Sequence, residues 1–130
     1  MRRHLLLIED NEQNRYLATY LLALRGHRIT PAITGPEGIK LAREETPDLI
    51  LLDIQLPTMD GYSVARALRA IESLRQVPIV AVTSYAMMGD REKALASGCN
   101  GYIEKPINPE SFVAEVEAFF NPPKKEKGTV

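Results

Sequence analysis

Short, continuous apolar runs constrain the fold of this chain more than any other feature of its sequence. The clearest three occupy residues 5–8, 49–52 and 79–82, and none alternates between polar and apolar positions. Runs of this kind are typical of strands that are buried on both faces of a parallel sheet. Weaker strands are predicted near residues 28–33 and 101–103, and longer amphipathic segments lie between all of them. This rhythm predicts βα units around a mostly parallel sheet, and therefore an α/β fold.

The intervening segments carry helix signals. The first helix is predicted to follow Asn11 and to stop at Gly26, with an apolar stripe formed by Tyr16, Leu17, Tyr20, Leu21 and Leu24. Pro36 suits the first turn of a second helix, and a third has the stripe Val64, Leu68 and Ile71. A charged fourth helix is predicted over residues 87–97, closed by Gly98. The last is predicted to have Asn108 as N-cap, Pro109 at its first position and a buried face of Phe112, Val113, Val116 and Phe120.

The composition bounds the function. The 130 residues suffice for one domain, predicted over residues 1–120, with a flexible tail or linker stub over 121–130. A net charge of -1 gives no global electrostatic reason to expect binding to nucleic acid, and the apolar runs are far shorter than the roughly 18 residues of a membrane helix. The start of the chain lacks the pattern of a signal peptide, so we expect a cytoplasmic protein. The single Cys99 cannot form an internal disulfide.

Polar groups follow the predicted strands at the edge where open parallel sheets bind ligands. They are Glu9 and Asp10 after the first strand, Asp53 at the end of the third, Thr83 at the end of the fourth and Lys105 after the fifth. Each has an ordinary explanation when it is taken singly. Asp10 suits a helix cap, Asp53 a turn and Lys105 a solvated surface. Their predicted convergence on one edge is harder to explain as structure.

Three carboxylates at one edge repel one another unless a cation or a proton neutralises them. A divalent metal is the simplest solution, and oxygen ligands favour Mg²⁺, with Mn²⁺ as the alternative. Mg²⁺ commonly completes its coordination with a substrate phosphate, which indicates phosphoryl chemistry. A carboxylate can itself be the nucleophile and form an aspartyl phosphate.

The sequence resembles the receiver domains of bacterial response regulators over about residues 4–120. The motifs that carry the resemblance are LLIEDN at 6–11, DLILLDIQLP at 48–57, MDG at 59–61, PIVAVT at 78–83 and GYIEKP at 101–106. The resemblance implies a flavodoxin-like, doubly wound (βα)5 fold with a five-stranded parallel sheet of order 2-1-3-4-5. It also implies a signalling domain rather than an enzyme, although such a domain assists its own phosphorylation and dephosphorylation.

Site roles follow from the resemblance position by position. Asp53 corresponds to the phosphoacceptor, and Lys105 and Thr83 to the residues that contact the phosphoryl group. Mg²⁺ would be bound by Asp10, Asp53 and the backbone carbonyl of Gln55, with Glu9 acting mainly through bound water. Pro106 is expected to follow a cis peptide bond. Glu9 stands where many relatives have aspartate.

The resemblance further implies a conformational switch. Thr83 and Tyr102 correspond to the switch pair, and Gln55 and Tyr85 to positions that tune the lifetime of the phosphate. The expected output face is formed by the fourth helix, fifth strand and fifth helix, with partner contacts near Arg91, Lys93, Tyr102 and residues 109–118. The expected partners are a histidine kinase or histidine phosphotransfer protein and a downstream protein target, with no direct contact to nucleic acid or membrane. The protein would be a monomer or a phosphorylation-linked dimer.

Three other functions fit parts of the pattern. A phosphohydrolase of the haloacid dehalogenase type also uses an aspartate nucleophile, but Gln55 stands where that class has its acid/base aspartate. A flavodoxin-like flavin carrier shares the topology, but Glu9 and Asp10 would repel the flavin phosphate. A receiver fold that serves only as a docking module is the third alternative.

Overall fold

The structure is a computed structural model that describes residues 2–84 and 89–122. Within these residues, five strands form one parallel sheet: β1 His4–Ile8, β2 Arg28–Ala32, β3 Leu49–Asp53, β4 Ile79–Thr83 and β5 Gly101–Glu104. The strand order is β2-β1-β3-β4-β5. The predicted α/β fold and its strand order are confirmed, and the order reverses at β1, which lies between β2 and β3.

Helices cover both faces of the sheet. They are α1 Glu12–Leu24, α2 Gly35–Glu44, α3 Gly61–Arg69, α4 Asp90–Ala96 and α5 Phe112–Glu117, with a 3-10 turn at Glu72–Leu74. Residues of α1 and α5 share one core cluster with one face of the sheet, and residues of α2, α3 and α4 share the other. Alternate residues of a strand such as β1 enter opposite clusters, Leu5 and Leu7 one and Leu6 and Ile8 the other. Both faces of each central strand are therefore buried, which explains the continuous apolar runs.

The stripe predicted for the first helix is only partly its buried face, since Leu17 and Leu21 pack against the core but the other three residues do not. Ala18 and Leu22 are the fully buried residues of α1, whereas Tyr16, Tyr20 and Leu24 are 71%, 52% and 67% exposed. The helix is apolar on more than one side, so its sequence pattern does not select the face that contacts the sheet. Close packing against the sheet selects the side with the small Ala18, and it leaves Tyr16 stacked on Tyr20 with ring centroids 6.3 Å apart.

The last helix begins later than predicted. Regular α-helix starts at Phe112 rather than Pro109, and the segment before it is a turn. The Asn108 carbonyl accepts hydrogen bonds from the N–H groups of Ser111 and Phe112, at 3.1 and 2.9 Å, so a tighter turn precedes the helix. The predicted buried face is confirmed for Phe112 and Val116, and Val113 and Phe120 are partly buried against the same core.

The fourth helix spans Asp90–Ala96 in the described part of the chain, and residues 87 and 88 of its predicted range lie outside it. Gly98 has a φ of 106°, a left-handed conformation that suits glycine at a helix end. No helix in residues 2–84 and 89–122 is long and apolar enough to cross a membrane. Residues 123–130 of the predicted tail also lie outside the described residues.

Candidate functional site

The carboxyl edge of the sheet brings together the side chains that the sequence placed there. Glu9 follows β1, Asp53 ends β3 and Thr83 ends β4, and their residues are only 3%, 3% and 4% exposed. Lys105 follows β5, and its side chain is 10% exposed. Asp10 is exposed beside them. Buried ionisable groups are uncommon unless they are paired, so this cluster is a strong candidate for a functional site.

Lys105 connects the two buried carboxylates. Its Nζ lies 2.9 Å from Oε1 of Glu9 and 3.4 Å from Oδ2 of Asp53. The backbone N–H of Lys105 also donates to the carbonyl of Thr83 at 2.8 Å, which ties the lysine to the end of β4. The peptide bond between Lys105 and Pro106 is cis, as expected from the sequence. An ammonium group thus lies directly beside the carboxylate of Asp53.

The acidic groups fit a divalent metal. Glu9, Asp10 and Asp53 each offer one carboxylate oxygen, and these three atoms all lie within 4.8 Å of one another. Oxygen ligands at one solvent-accessible edge suit Mg²⁺, which usually keeps several waters and one or two protein carboxylates. The donor set is therefore compatible with the predicted Mg²⁺ site.

The pKa of Glu9 is raised because burial and the nearby carboxylate of Asp53 disfavour its negative charge. This pKa is raised from 4.5 to about 7, mainly by burial and also by the neighbouring Asp53, while Lys105 and the Asn11 N–H act to lower it. Glu9 thus holds its proton more tightly in the folded protein than in the unfolded chain.

This shift predicts a stability that depends on pH. Because the folded-state pKa is raised, the metal-free protein should lose stability as the pH rises from about 4.5 to about 7, by an amount on the order of 2 kcal/mol. The Glu9→Gln variant should lack this loss, since its side chain does not ionise. Urea unfolding of both proteins at pH 5 and pH 8 in chelator measures the difference, in which the shared titration of other groups cancels. If both proteins changed equally in stability between pH 5 and pH 8, the raised pKa of Glu9 would be contradicted.

Backbone groups orient the two buried carboxylates. The N–H of Asn11 donates to Oε2 of Glu9 at 3.1 Å, and the N–H of Gln55 donates to Oδ1 of Asp53 at 2.9 Å. The side chain of Asn11 caps α1 by accepting from the N–H of Asn14 at 2.9 Å. Asn11 therefore orients the Glu9 carboxylate and also caps α1, and Gln55 orients the Asp53 carboxylate.

Comparison with known proteins identifies the family. A family model described as the response regulator receiver domain matches residues 5–117. The chain belongs to this family. The receiver is 40% identical over 119 residues to the polar-differentiation response regulator DivK of Brucella ovis, covering 92% of this chain and 97% of the relative. It is thus the receiver domain of a response regulator in two-component signalling, a signalling domain.

Solved structures agree with this assignment. The receiver domain of the sensor histidine kinase PA1611 of Pseudomonas aeruginosa, which has a magnesium ion coordinated in its active-site cleft, is 36% identical with a TM-score of 0.83, covering 92% of this chain and 98% of that one. The chemotaxis protein CheY4 of Vibrio cholerae has a TM-score of 0.88 over 92% of this chain and all of its own (100%). At 23% identity, CheY4 supports the fold alone.

Two residues at the receiver site were given no role from the sequence. Nη1 of Arg15 donates to the backbone carbonyls of Glu9 and Asp10, at 3.0 and 3.3 Å. Gly61 donates its N–H to the carbonyl of Ile54 at 2.9 Å, directly after the end of β3. A basic residue in the first turn of a helix that follows an acidic pair was the available signal for Arg15. The MDG motif singled out Gly61, but the sequence did not show why this position needs a glycine.

The remaining predicted positions differ in where the structure places them. Gln55 is exposed and contacts Asp53 through its backbone, whereas Tyr85 lies outside the described residues. Tyr102 is partly buried and is opposite Ala81 in the parallel register of β5 and β4. It lines a groove of about 540 Å³ between α4, β5 and α5, together with Arg91, Glu115 and Phe119 among others. Lys93 lies instead beside Arg66 in a separate groove between α3 and α4.

Proposed function

We propose that this receiver is a phosphoacceptor in a two-component phosphorelay and that Asp53 takes the phosphoryl group. The donor is a phosphohistidine on a histidine kinase or a histidine phosphotransfer protein. A bond forms between an Asp53 carboxylate oxygen and phosphorus while the phosphorus–nitrogen bond breaks, and the released imidazole nitrogen takes up a proton. The observation that carries the proposal is the position of Lys105, whose ammonium lies between Glu9 and Asp53.

The surrounding residues serve the same transfer. Asp10, Asp53 and the backbone carbonyl of Gln55 would hold Mg²⁺, or Mn²⁺, with Glu9 acting through bound water. The bound ion would supply neutralisation of charge on the phosphoryl oxygens, which is most of what such a transfer requires of its catalyst. Lys105 pairs with the phosphoryl group, and Thr83 donates a hydrogen bond to one of its oxygens. The low exposure of the Lys105 side chain, and the hydrogen bond from its backbone N–H to the Thr83 carbonyl, support this division of roles.

Phosphorylation changes the surface presented by α4, β5 and α5. The new anionic oxygens favour an inward position of Thr83, and Tyr102 changes conformation with it. Parallel pairing between β4 and β5, in which Ala81 is opposite Tyr102, gives the two switch residues a short structural connection. The readout partner is a downstream protein that contacts Arg91, Lys93, Tyr102 and residues 109–118. Nucleic acid is not contacted directly, and the receiver acts as a monomer or a phosphorylation-linked dimer.

Other features follow from the same proposal. Gln55 and Tyr85 set the lifetime of the acyl phosphate. The receiver occupies residues 1–120, residues 121–130 are a tail or linker stub, and the protein works in the cytoplasm with its kinase. It is a signalling protein that assists its own phosphorylation and dephosphorylation.

The proposal is tested by locating the phosphoryl group. The protein is incubated with Mg²⁺ and acetyl phosphate, and the adduct is measured by mass spectrometry. We expect an acid-stable, base-labile adduct that borohydride reduction and peptide mapping locate at Asp53. An adduct on Glu9 or Asp10 would refute the assignment of the acceptor. A folded protein without any adduct would favour the docking-module alternative.

A further inference from the structure

Arg15 reaches back from α1 to the segment that carries two of the three clustered carboxylates. It is the fourth residue of the helix and is partly buried. Its Nη1 donates to the Glu9 carbonyl at 3.0 Å and to the Asp10 carbonyl at 3.3 Å. One guanidinium group thus holds two successive peptide units directly after β1.

The position of Asp10 depends on this segment more than that of Glu9 does. Glu9 is buried, its N–H donates to the Ala32 carbonyl at 2.9 Å, and its carboxylate is held by Lys105. Asp10 is exposed, so the core does not hold its side chain. The backbone of Asp10, whose carbonyl Arg15 holds, therefore sets the direction in which its side chain leaves the main chain.

We propose that Arg15 is a positioning residue for the divalent metal. By holding the carbonyls of Glu9 and Asp10, it keeps the Asp10 carboxylate near that of Asp53 before the metal arrives. This inference rests on the proposed function, because it assumes that the acidic cluster binds Mg²⁺. Groups that orient metal ligands typically contribute about 10-fold to 100-fold in metal affinity.

The charge of Arg15 alone would have the opposite effect. A cation near three carboxylates repels Mg²⁺, so its removal would tighten binding if Arg15 acted only through its field. A guanidinium that acts by orienting the carbonyls would weaken binding when removed. The sign of the change in Mg²⁺ affinity therefore distinguishes the two roles.

The test is a calorimetric titration with Mg²⁺ alone of the wild type and of the Arg15→Gln, Arg15→Lys and Arg25→Gln variants. We expect Arg15→Gln to raise the Kd about tenfold. Arg15→Lys keeps the charge but not the planar guanidinium whose Nη1 contacts both carbonyls, so we expect a smaller loss of affinity. Arg25 pairs with Glu117 at 3.0 Å, away from the acidic cluster, and its replacement should leave the Kd unchanged.

A second readout needs no metal. Without Mg²⁺, the amide of Asn11 should exchange its hydrogen faster in the Arg15→Gln variant, while amides of the central strand β3 should not change. A Kd for Arg15→Gln that equals or falls below the wild-type value would overturn the role of Arg15 and leave the proposed function intact. A wild type that binds no Mg²⁺ would overturn the role of Arg15 together with the proposed metal site. Retained protection of β3 shows that the variant is folded.

Discussion

Replacement of Asp53 by asparagine is expected to abolish the acyl phosphate while the fold is retained. A neutral carboxamide has nearly the same shape as the carboxylate but is not a nucleophile toward phosphorus. The change also removes the carboxylate that raises the pKa of Glu9, so the metal-free variant should be at least as stable as the wild type. Intact-mass spectrometry after incubation with acetyl phosphate and Mg²⁺ measures the adduct, and urea unfolding measures stability.

Asp48 provides a matched control for Asp53. It lies just before β3, at the opposite end of the same strand, and its Oδ2 accepts a hydrogen bond from the N–H of His4 at 2.8 Å. The Asp48→Asn variant should be phosphorylated as the wild type is, because it leaves the carboxyl edge unchanged. A comparable amount of adduct on the Asp53→Asn variant would show that another group accepts the phosphoryl group. Equal loss in both variants would point to a general effect on the strand.

Replacement of Gly61 by alanine is expected to lower the free energy of unfolding by about 3 kcal/mol, the upper part of the range for overpacked sites. A β-carbon at this position would lie 2.7 Å from the carbonyl oxygen of Asp53 and closer still to Cα of Ile54. Both neighbours are backbone atoms at the end of β3 or directly after it, so they cannot rotate away as a side chain can. The backbone of Asp53 should shift, and phosphorylation by acetyl phosphate should become slower in addition.

The Gly101→Ala variant is the control for this prediction. Its new β-carbon would meet the ring of Phe119, at 2.5 Å, rather than backbone. Phe119 is only partly buried and can turn aside, so we expect a loss of about 1 kcal/mol or less and normal phosphorylation. Urea unfolding of both variants measures the contrast. Equal destabilisation by the two alanines would show that the close approach of residue 61 to the Asp53 backbone does not make Gly61 more sensitive to an added β-carbon than Gly101.

The fold was largely predictable because burial on both faces leaves a mark in the sequence. A strand such as β3 must be apolar at every position, and a continuous apolar run has few other interpretations. Helix faces were less predictable. An exposed aromatic residue such as Tyr16 and a buried residue such as Ala18 give misleading signals when helix patterns are read by hydrophobicity alone. The beginning of α5 was also missed, because a tight turn and a helix have similar local sequence preferences.

The amino-acid sequence of this receiver was enough to determine which chemical groups reach the carboxyl edge of the sheet. Glu9 and Lys105 follow predicted strands and Asp53 ends one, and parallel strands bring their carboxyl ends to one edge. Only the tertiary structure decided how these groups interact. Distances between segments far apart in the chain determine the raised pKa of Glu9 and the contacts of Lys105 with both carboxylates. The contact of Arg15 with the Glu9 carbonyl depends on how α1 is placed after β1. Local sequence carries no record of such distances, because packing of the whole domain sets them.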